Sequence, residues 1–287
     1  MAAYPEEVLQ RLHETELEIL DALAALCAEE GLNWFLIGGS VLGAKRHEGF
    51  IPWDDDIDTG MLREDYDRFM QIAPEKLPDA FELLSPDNTP GYAPMFAKVC
   101  KKGTRFCAQE AVDAGVNMGI FVDIFPRDRV AVDPVLCKKQ YRAARTFTRA
   151  SYLYHSDAIT RVPKGLYGKA ARAAFPMVHK VLNRFGDEEA IRRKFREGTV
   201  LSSNARAIEC ASFTSPSMPP LPLRMFEQTE LASFEGRMLP VPSPAEEYLE
   251  TAYGKTWSEV PPPEKRKSHA PVILDFGDGV NVMEGLK

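Results

Sequence analysis

One continuous run, Gly38-Gly39-Ser40 through Pro52-Trp53-Asp54-Asp55-Asp56-Ile57-Asp58, restricts what this chain can fold into more than any other stretch. Trp34-Phe35-Leu36-Ile37 just ahead of it reads as a short buried strand, so the glycine pair is a turn at a strand end. A second strand, read as Asp55 to Met61, carries the carboxylates. Alternation along that strand sends Asp56 and Asp58 to one face and packs Ile57 inward. Two carboxylates held side by side raise each other's pKa unless a cation neutralises them. Mg²⁺ (or Mn²⁺) suits such a pair, because these ions take hard oxygen ligands and share them with substrate phosphates. The glycines add a backbone that a phosphate can approach closely. The run predicts a metal–phosphate site.

Around it the chain alternates helix and strand on a short scale. Residues 5 to 30 carry apolar side chains at helical spacing, with Glu6 and Glu7 at the positive end and Gly31 as a stop. Ser40 is placed to cap a helix from Val41 to His47, and Glu64 to Ile72 reads as another. Strands are expected at Phe81–Leu84, Met95–Val99 and Gly119–Pro126, the last ended by its proline. This predicts an α+β fold: a helix over 1–30 packed on a mixed-sheet core over 31–127, a basic helical segment over 128–215, and a C-terminal segment over 216–287 that completes the site. Within 216–287, Ala245 to Tyr253 reads as a helix stopped by Gly254. Asp123, alone on the apolar strand Phe121-Val-Asp-Ile-Phe, is the candidate third carboxylate. An EF-hand is excluded, since its loop glycine and terminal glutamate are missing from this acidic cluster.

Charge is distributed unevenly. Between Lys138 and Arg184 stand eleven Lys or Arg residues and one acid, Asp157, so this segment is near +10 in a chain of net charge −7. The overall acidity argues against a nucleic-acid binder. Five scattered cysteines without a CxxC pair, and an N-terminus without basic and apolar signal regions, lead us to expect a cytoplasmic protein.

A glycine-glycine-serine turn followed by an Asp-x-Asp strand has the form of a nucleotidyltransferase-type site. The run from Gly38 to Asp58, with Gly43, Lys45, Arg46, His47 and Gly49 inside it, strongly resembles the signature of the LicD family. That family includes bacterial phosphorylcholine transferases and is related to the fukutin and fukutin-related ribitol-phosphate transferases. The resemblance continues through Gly60-Met61, Arg63 to Phe69, Phe121 to Pro126, Tyr253-Gly254 and Pro261-Pro262-Pro263 with the basic residues after it. It departs at Thr59, where an apolar residue is more usual, and is thin across 130 to 210.

The resemblance implies a nucleotidyltransferase-like core and transfer of a substituted phosphate from a CDP-linked donor to a glycan or lipid-linked glycan. Asp56 and Asp58 are then the metal ligands, Asp54 and Asp55 accessory ones, and Asp123 a third ligand or the general base. Gly38, Gly39 and Ser40, with Lys45, Arg46 and His47 and the tail residues Lys265, Arg266 and His269, would contact donor phosphate. Ordinary alternatives exist for these basic residues: helix C-terminal charges for Lys45 and Arg46, a solvated tail for the last three. Two rival functions use the same residues, a nucleotidyltransferase that releases pyrophosphate and a catalytically silent nucleotide binder. The basic helices, with Tyr152, Tyr154, Tyr167, Phe175 and Phe185 interleaved, also fit peripheral contact with an anionic membrane at its inner face.

Overall fold

The computed structural model describes residues 4–157, 166–200, 206–215, 218–266 and 268–285, with only the backbone for 166–173. The rest of the basic segment, residues 158–165, and the Tyr167 side chain lie outside the described residues.

The chain opens with α1 (Glu6–Glu30), whose Leu12, Ile19, Leu20, Leu23 and Leu26 are buried at helical spacing. Gly31 ends it at φ 62, its N–H returning to the Cys27 carbonyl. Then follow β1 (Phe35–Leu36), α2 (Gly38–His47), β2 (Asp58–Leu62), α3 (Arg63–Lys76), β3 (Phe81–Leu84) and β4 (Ala97–Lys101). After β5 (Arg105–Cys107), α4 (Gln109–Asp113) and β6 (Phe121–Arg129) come the helices of the basic segment, α5 (Pro134–His155), α6 (Leu166–Phe185) and α7 (Glu188–Thr199). The remainder is β7 (Glu209–Ala211), β8 (Leu221–Pro222), α8 (Arg224–Glu227), the hairpin β9 (Thr229–Phe234) and β10 (Arg237–Pro242), α9 (Ala245–Tyr253) and β11 (Ile273–Asp275).

The main sheet runs β1-β2-β6-β4-β3, with β7 and β8 continuing from the far end of β6. Only the β2–β6 pair is parallel, so the fold is α+β with a mixed sheet. Registers place Asp58 opposite Asp123 and Lys98 opposite Asp123, so three charged side chains from adjacent strands share one face. One hydrophobic core runs from Leu12 to Leu274 and draws on α1, the sheet, α8, the hairpin, α9 and β11. A second, smaller cluster joins Ala144, Ile191 and Phe195 of α5 and α7 to Met95, Val130, Ala211 and Phe213. Among the described residues no helix is long and apolar enough to cross a membrane.

Three local expectations are corrected. First, α2 begins at Gly38, not after Ser40. Ile37 is its extended N-cap and Ser40 lies inside the first turn, buried, with its hydroxyl accepting from the Asp58 N–H at 2.9 Å. Second, β2 begins at Asp58, so Asp54 to Ile57 form a loop and Asp56 is not on the strand. The Ile51-Pro52-Trp53-Asp54 turn, closed by Asp54 N–H to Ile51 O at 2.8 Å, holds that loop out of the ladder. Third, β6 continues through Pro126 to Arg129. Asp123 donates toward β2, through its N–H to the Ile57 carbonyl, so the amide positions of residues 124 and 126 face the other edge. There β4 pairing stops at Ile124, and the missing N–H of Pro126 breaks nothing.

Candidate active site

The glycine pair shapes the site by what it lacks. Gly38 sits at φ 57, and a Cβ there would lie 2.8 Å from Asp58 Oδ2. A Cβ on Gly39 would lie 2.8 Å from Asp54 Oδ2. The two carboxylates occupy the space that two side chains would have filled. Both pKa values rise, through burial first and then through their neighbours: Asp54 to about 7 under the influence of Asp56 and Asp55, Asp58 well above the carboxylate range under that of Asp56, Asp123 and Asp54. Asp123, 6 % exposed, is pushed up to about 6 by burial against the opposing pull of Lys98, with which it forms a buried ion pair.

Asp55 has a different place. It is fully buried and accepts from the Tyr4 hydroxyl at 2.7 Å and from the His269 backbone N–H at 2.8 and 2.9 Å. It therefore ties the loop to both ends of the chain, and its oxygens are already engaged. The His269 ring lies over the same loop, Nδ1 3.4 Å from Asp56 Oδ2 and 3.7 Å from Asp55 Oδ1, and those two carboxylates lift its pKa to about 10. Asp54, Asp55, Asp56 and His269 each offer a ligand atom within 4.8 Å of the others.

The donor set fits a hard divalent cation. Burial and crowding already raise the pKa values of Asp54 and Asp58, the state that a bound cation relieves. A further acid points the same way: Glu16 of α1 is 1 % exposed, and its Oε2 has no hydrogen-bond partner among the described residues. Burial and the aspartates Asp56, Asp55, Asp54 and Asp123 raise its pKa. Asp54 and Asp56, with Asp58 next to them, are carboxylates that could hold a divalent cation.

The basic residues divide. Lys45 faces Glu230 at 3.6 Å, and Arg46 Nη1 donates to the Trp257 and Glu259 carbonyls at 3.1 Å each, so both fasten later segments to α2. His47 accepts from Arg46 Nε at 3.0 Å and meets Trp53 edge-on. Arg266 lies over the Trp53 ring at 4.3 Å, which brings the tail to the site's rim, while Lys265 is exposed in a short 3₁₀ turn.

Several contributors escaped the sequence reading. Lys98 stands inside β4, between buried Ala97 and Val99, its ammonium 3.2 Å from the centre of the Phe121 ring. A lone lysine in the Met95–Val99 strand was the signal that could have found it, since a buried lysine needs a carboxylate. Tyr248 of α9 is fully buried and its hydroxyl accepts from the Gly38 N–H at 2.7 Å, satisfying an amide at the start of α2. His13 Nε2 donates to the Asp54 carbonyl at 2.9 Å while its ring stacks on Phe50 at 3.7 Å. Tyr248 and His13 sit on helix faces that look like ordinary core in the sequence, and only the tertiary fold brings them here. Thr59, the departure noted above, donates to the Asp123 carbonyl at 2.6 Å and locks β2 to β6.

A family profile described as "LicD/FKTN/FKRP, nucleotidyltransferase domain" matches residues 31–160, the stretch that supplies the glycine turn and the site's aspartates. The lipopolysaccharide cholinephosphotransferase LicD of Haemophilus influenzae is 30% identical over 259 residues, which cover 88% of this chain and 92% of that protein. The ribitol 5-phosphate transferase FKRP of Homo sapiens is 40% identical over 68 residues, 24% of this chain and 13% of that one. With a match of that length to a LicD protein, and with the profile centred on the residues that form the site, the chain belongs to the LicD family.

Proposed function

We propose that the protein is a divalent-cation-dependent phosphotransferase. It moves a substituted phosphate, such as phosphocholine, from a CDP-linked donor to a hydroxyl of a glycan or lipid-linked glycan. The convergence of Asp54, Asp56, Asp58 and Asp123 at the Gly38–Gly39 turn carries this reading. The relatives' names, a cholinephosphotransferase and a ribitol 5-phosphate transferase, support the choice of a phosphate-linked group.

Mg²⁺ or Mn²⁺ held by Asp54, Asp56 and Asp58 would offset charge on the non-bridging and leaving oxygens of the donor. Asp123 accepts the proton of the attacking hydroxyl as the new O–P bond forms and the P–O bond to CMP breaks; CMP leaves with that bond's electron pair. Lys98 beside it favours the ionised carboxylate that a base requires. The Gly39 backbone at the start of α2, with Arg266, Lys265 and His269 of the tail, supplies the positive surround for the donor phosphates. Reaction at the cytoplasmic face of a membrane, where a lipid-linked acceptor would be presented, completes the reading.

The test is product analysis. With Mg²⁺, a panel of CDP-linked alcohols and a glycan acceptor, CMP should appear in step with modified glycan. Pyrophosphate released from a nucleoside triphosphate, or no turnover with any CDP conjugate, would overturn the assignment. Asp58→Asn should abolish both transfer and Mg²⁺ binding. Asp123→Asn should lower kcat by about 10²–10⁴-fold, the usual worth of a general base, while Mg²⁺ affinity stays within a few-fold.

A further inference from the structure

Many cations on this protein's surface have acidic partners. Arg11 pairs with Asp278 at 3.5 Å, Arg224 with Glu247 at 2.8 Å, Arg237 with Asp21 at 2.6 Å and Arg196 with Asp67 at 3.2 Å. Helix α5 departs from this pattern, as does α6, which likewise contains no Asp or Glu. Between Pro134 and His155, α5 contains no Asp or Glu, and Lys138, Lys139, Arg142, Arg145 and Arg149 are all exposed. Among the described residues none of these five forms an ion pair. At 100° per residue they fall within about a third of the helix circumference, opposite buried Gln140, Ala144 and Ser151, and they span about 17 Å. A stripe of like charges without acids repels itself, so its natural neutralising partner lies outside the molecule.

The flanking residues indicate which partner. At the N-terminal end of the stripe, Val132, Val135 and Leu136 are 66 %, 61 % and 41 % exposed. The acid among them, Asp133, turns back to accept from the Val135 and Leu136 N–H groups at 2.9 and 2.8 Å. A soluble polyanion has no use for three exposed aliphatic side chains beside its cations, whereas a bilayer takes up both through its headgroups and acyl boundary.

We propose that α5 is a membrane-docking helix that lies flat on an anionic bilayer, with the five cations at the headgroups and Val132, Val135 and Leu136 at the acyl boundary. Taken with the lipid-linked acceptor of the proposed function, on which that link alone rests, the docked enzyme meets its acceptor in two dimensions.

Vesicle flotation of the full chain tests this at low salt, comparing pure phosphatidylcholine with vesicles of about one-third phosphatidylglycerol. Partition onto the anionic vesicles, lost at high salt, is expected. The triple variant Lys138→Gln/Arg142→Gln/Arg149→Gln should partition about a hundredfold less, at roughly fivefold per cation. Its thermal unfolding should match the parent, because the three side chains are exposed and, among the described residues, form no ion pair. Val135→Asp should weaken binding on its own. Equal binding to neutral and anionic vesicles, undiminished flotation of the triple variant, or binding to heparin without binding to vesicles would overturn the proposal. Flotation requires no turnover, so failure to dock with CMP release intact sinks this inference alone. Docking without CMP release sinks the proposed function alone.

Discussion

At the scale of single residues, the site is built by two missing side chains and a surplus of negative charge. Gly39→Ala should push Asp54 out of its place while leaving an ordinary helical backbone; the loss should fall on Mg²⁺ affinity more than on stability. Gly38→Ala adds backbone strain of about 1 kcal/mol or more at its left-handed φ, so both quantities should drop. Titration calorimetry beside urea denaturation separates the two effects, and equal Mg²⁺ affinity in both variants would show that the glycines do not shape the ligand set. The raised pKa values give a second expectation. Asp54 folds with a pKa of about 7, above its unfolded value, so the folded state without metal binds the extra proton. Its contribution to stability is present below the unfolded pKa and is lost as pH rises through about 7. Metal-free protein should thus lose thermal stability from pH 5 to 8, and Mg²⁺ should restore more at pH 8 than at pH 6, since it no longer displaces protons. A metal-induced shift independent of pH would contradict this. The aspartates were legible in the sequence because four acids beside a glycine pair have few uses. Glu16 was not, since its meaning comes from burial, a property of the folded chain, and Lys98 left only the signal of a lone lysine among apolar residues 95–99.

At the scale of elements, the strand and helix types were readable and some boundaries were not, for identifiable reasons. Periodicity marks a helix over 245–253 and a strand over 81–84, and both stand where their patterns put them. The start of α2 depends on Tyr248, some 210 positions away, whose hydroxyl takes the Gly38 amide; the span of β6 depends on where β4 stops pairing. Neither partner is local, so no local pattern could reveal them. Tyr248→Phe isolates the first dependence. It keeps the ring packed against Phe226 but leaves a buried N–H without an acceptor, at a cost of about 1–3 kcal/mol. The turn that holds Asp58 should loosen with it. We expect a lower denaturation midpoint and, because Gly38 and Asp58 are in contact, weaker Mg²⁺ binding; unchanged binding with reduced stability would confine Tyr248 to the fold.

At the scale of the whole molecule, N-terminal and C-terminal residues close on the acidic loop: Tyr4, just ahead of α1, and His269 of the tail share Asp55 as an anchor, and His13 of α1 holds the Asp54 carbonyl. The core reflects this, since residues from α1, the sheet and the C-terminal elements share one hydrophobic cluster. The tail thus does more than trail in solvent. Its backbone fixes Asp55, and its imidazolium sits over Asp55 and Asp56 where positive charge is needed. These two contributions can be separated. Deleting residues 261–287 removes both, together with the β11–β5 pairing, and should destabilise the protein outright. His269→Ala keeps the backbone N–H and removes only the cation. Because the folded pKa of His269 is about 10, above its unfolded value, its contribution is full below the unfolded pKa, still largely present at pH 7, and lost progressively as pH rises to about 10. The ring is about half exposed, so solvent screening keeps that contribution small. Metal-free His269→Ala should therefore melt on the order of 2 °C below the parent at pH 7, with the gap closing above pH 10. Its stabilisation by Mg²⁺ should be larger than the parent's, because the divalent ion no longer competes with a resident cation. A smaller Mg²⁺ stabilisation would instead make the imidazole a partner of the metal and reverse the role assigned to the tail.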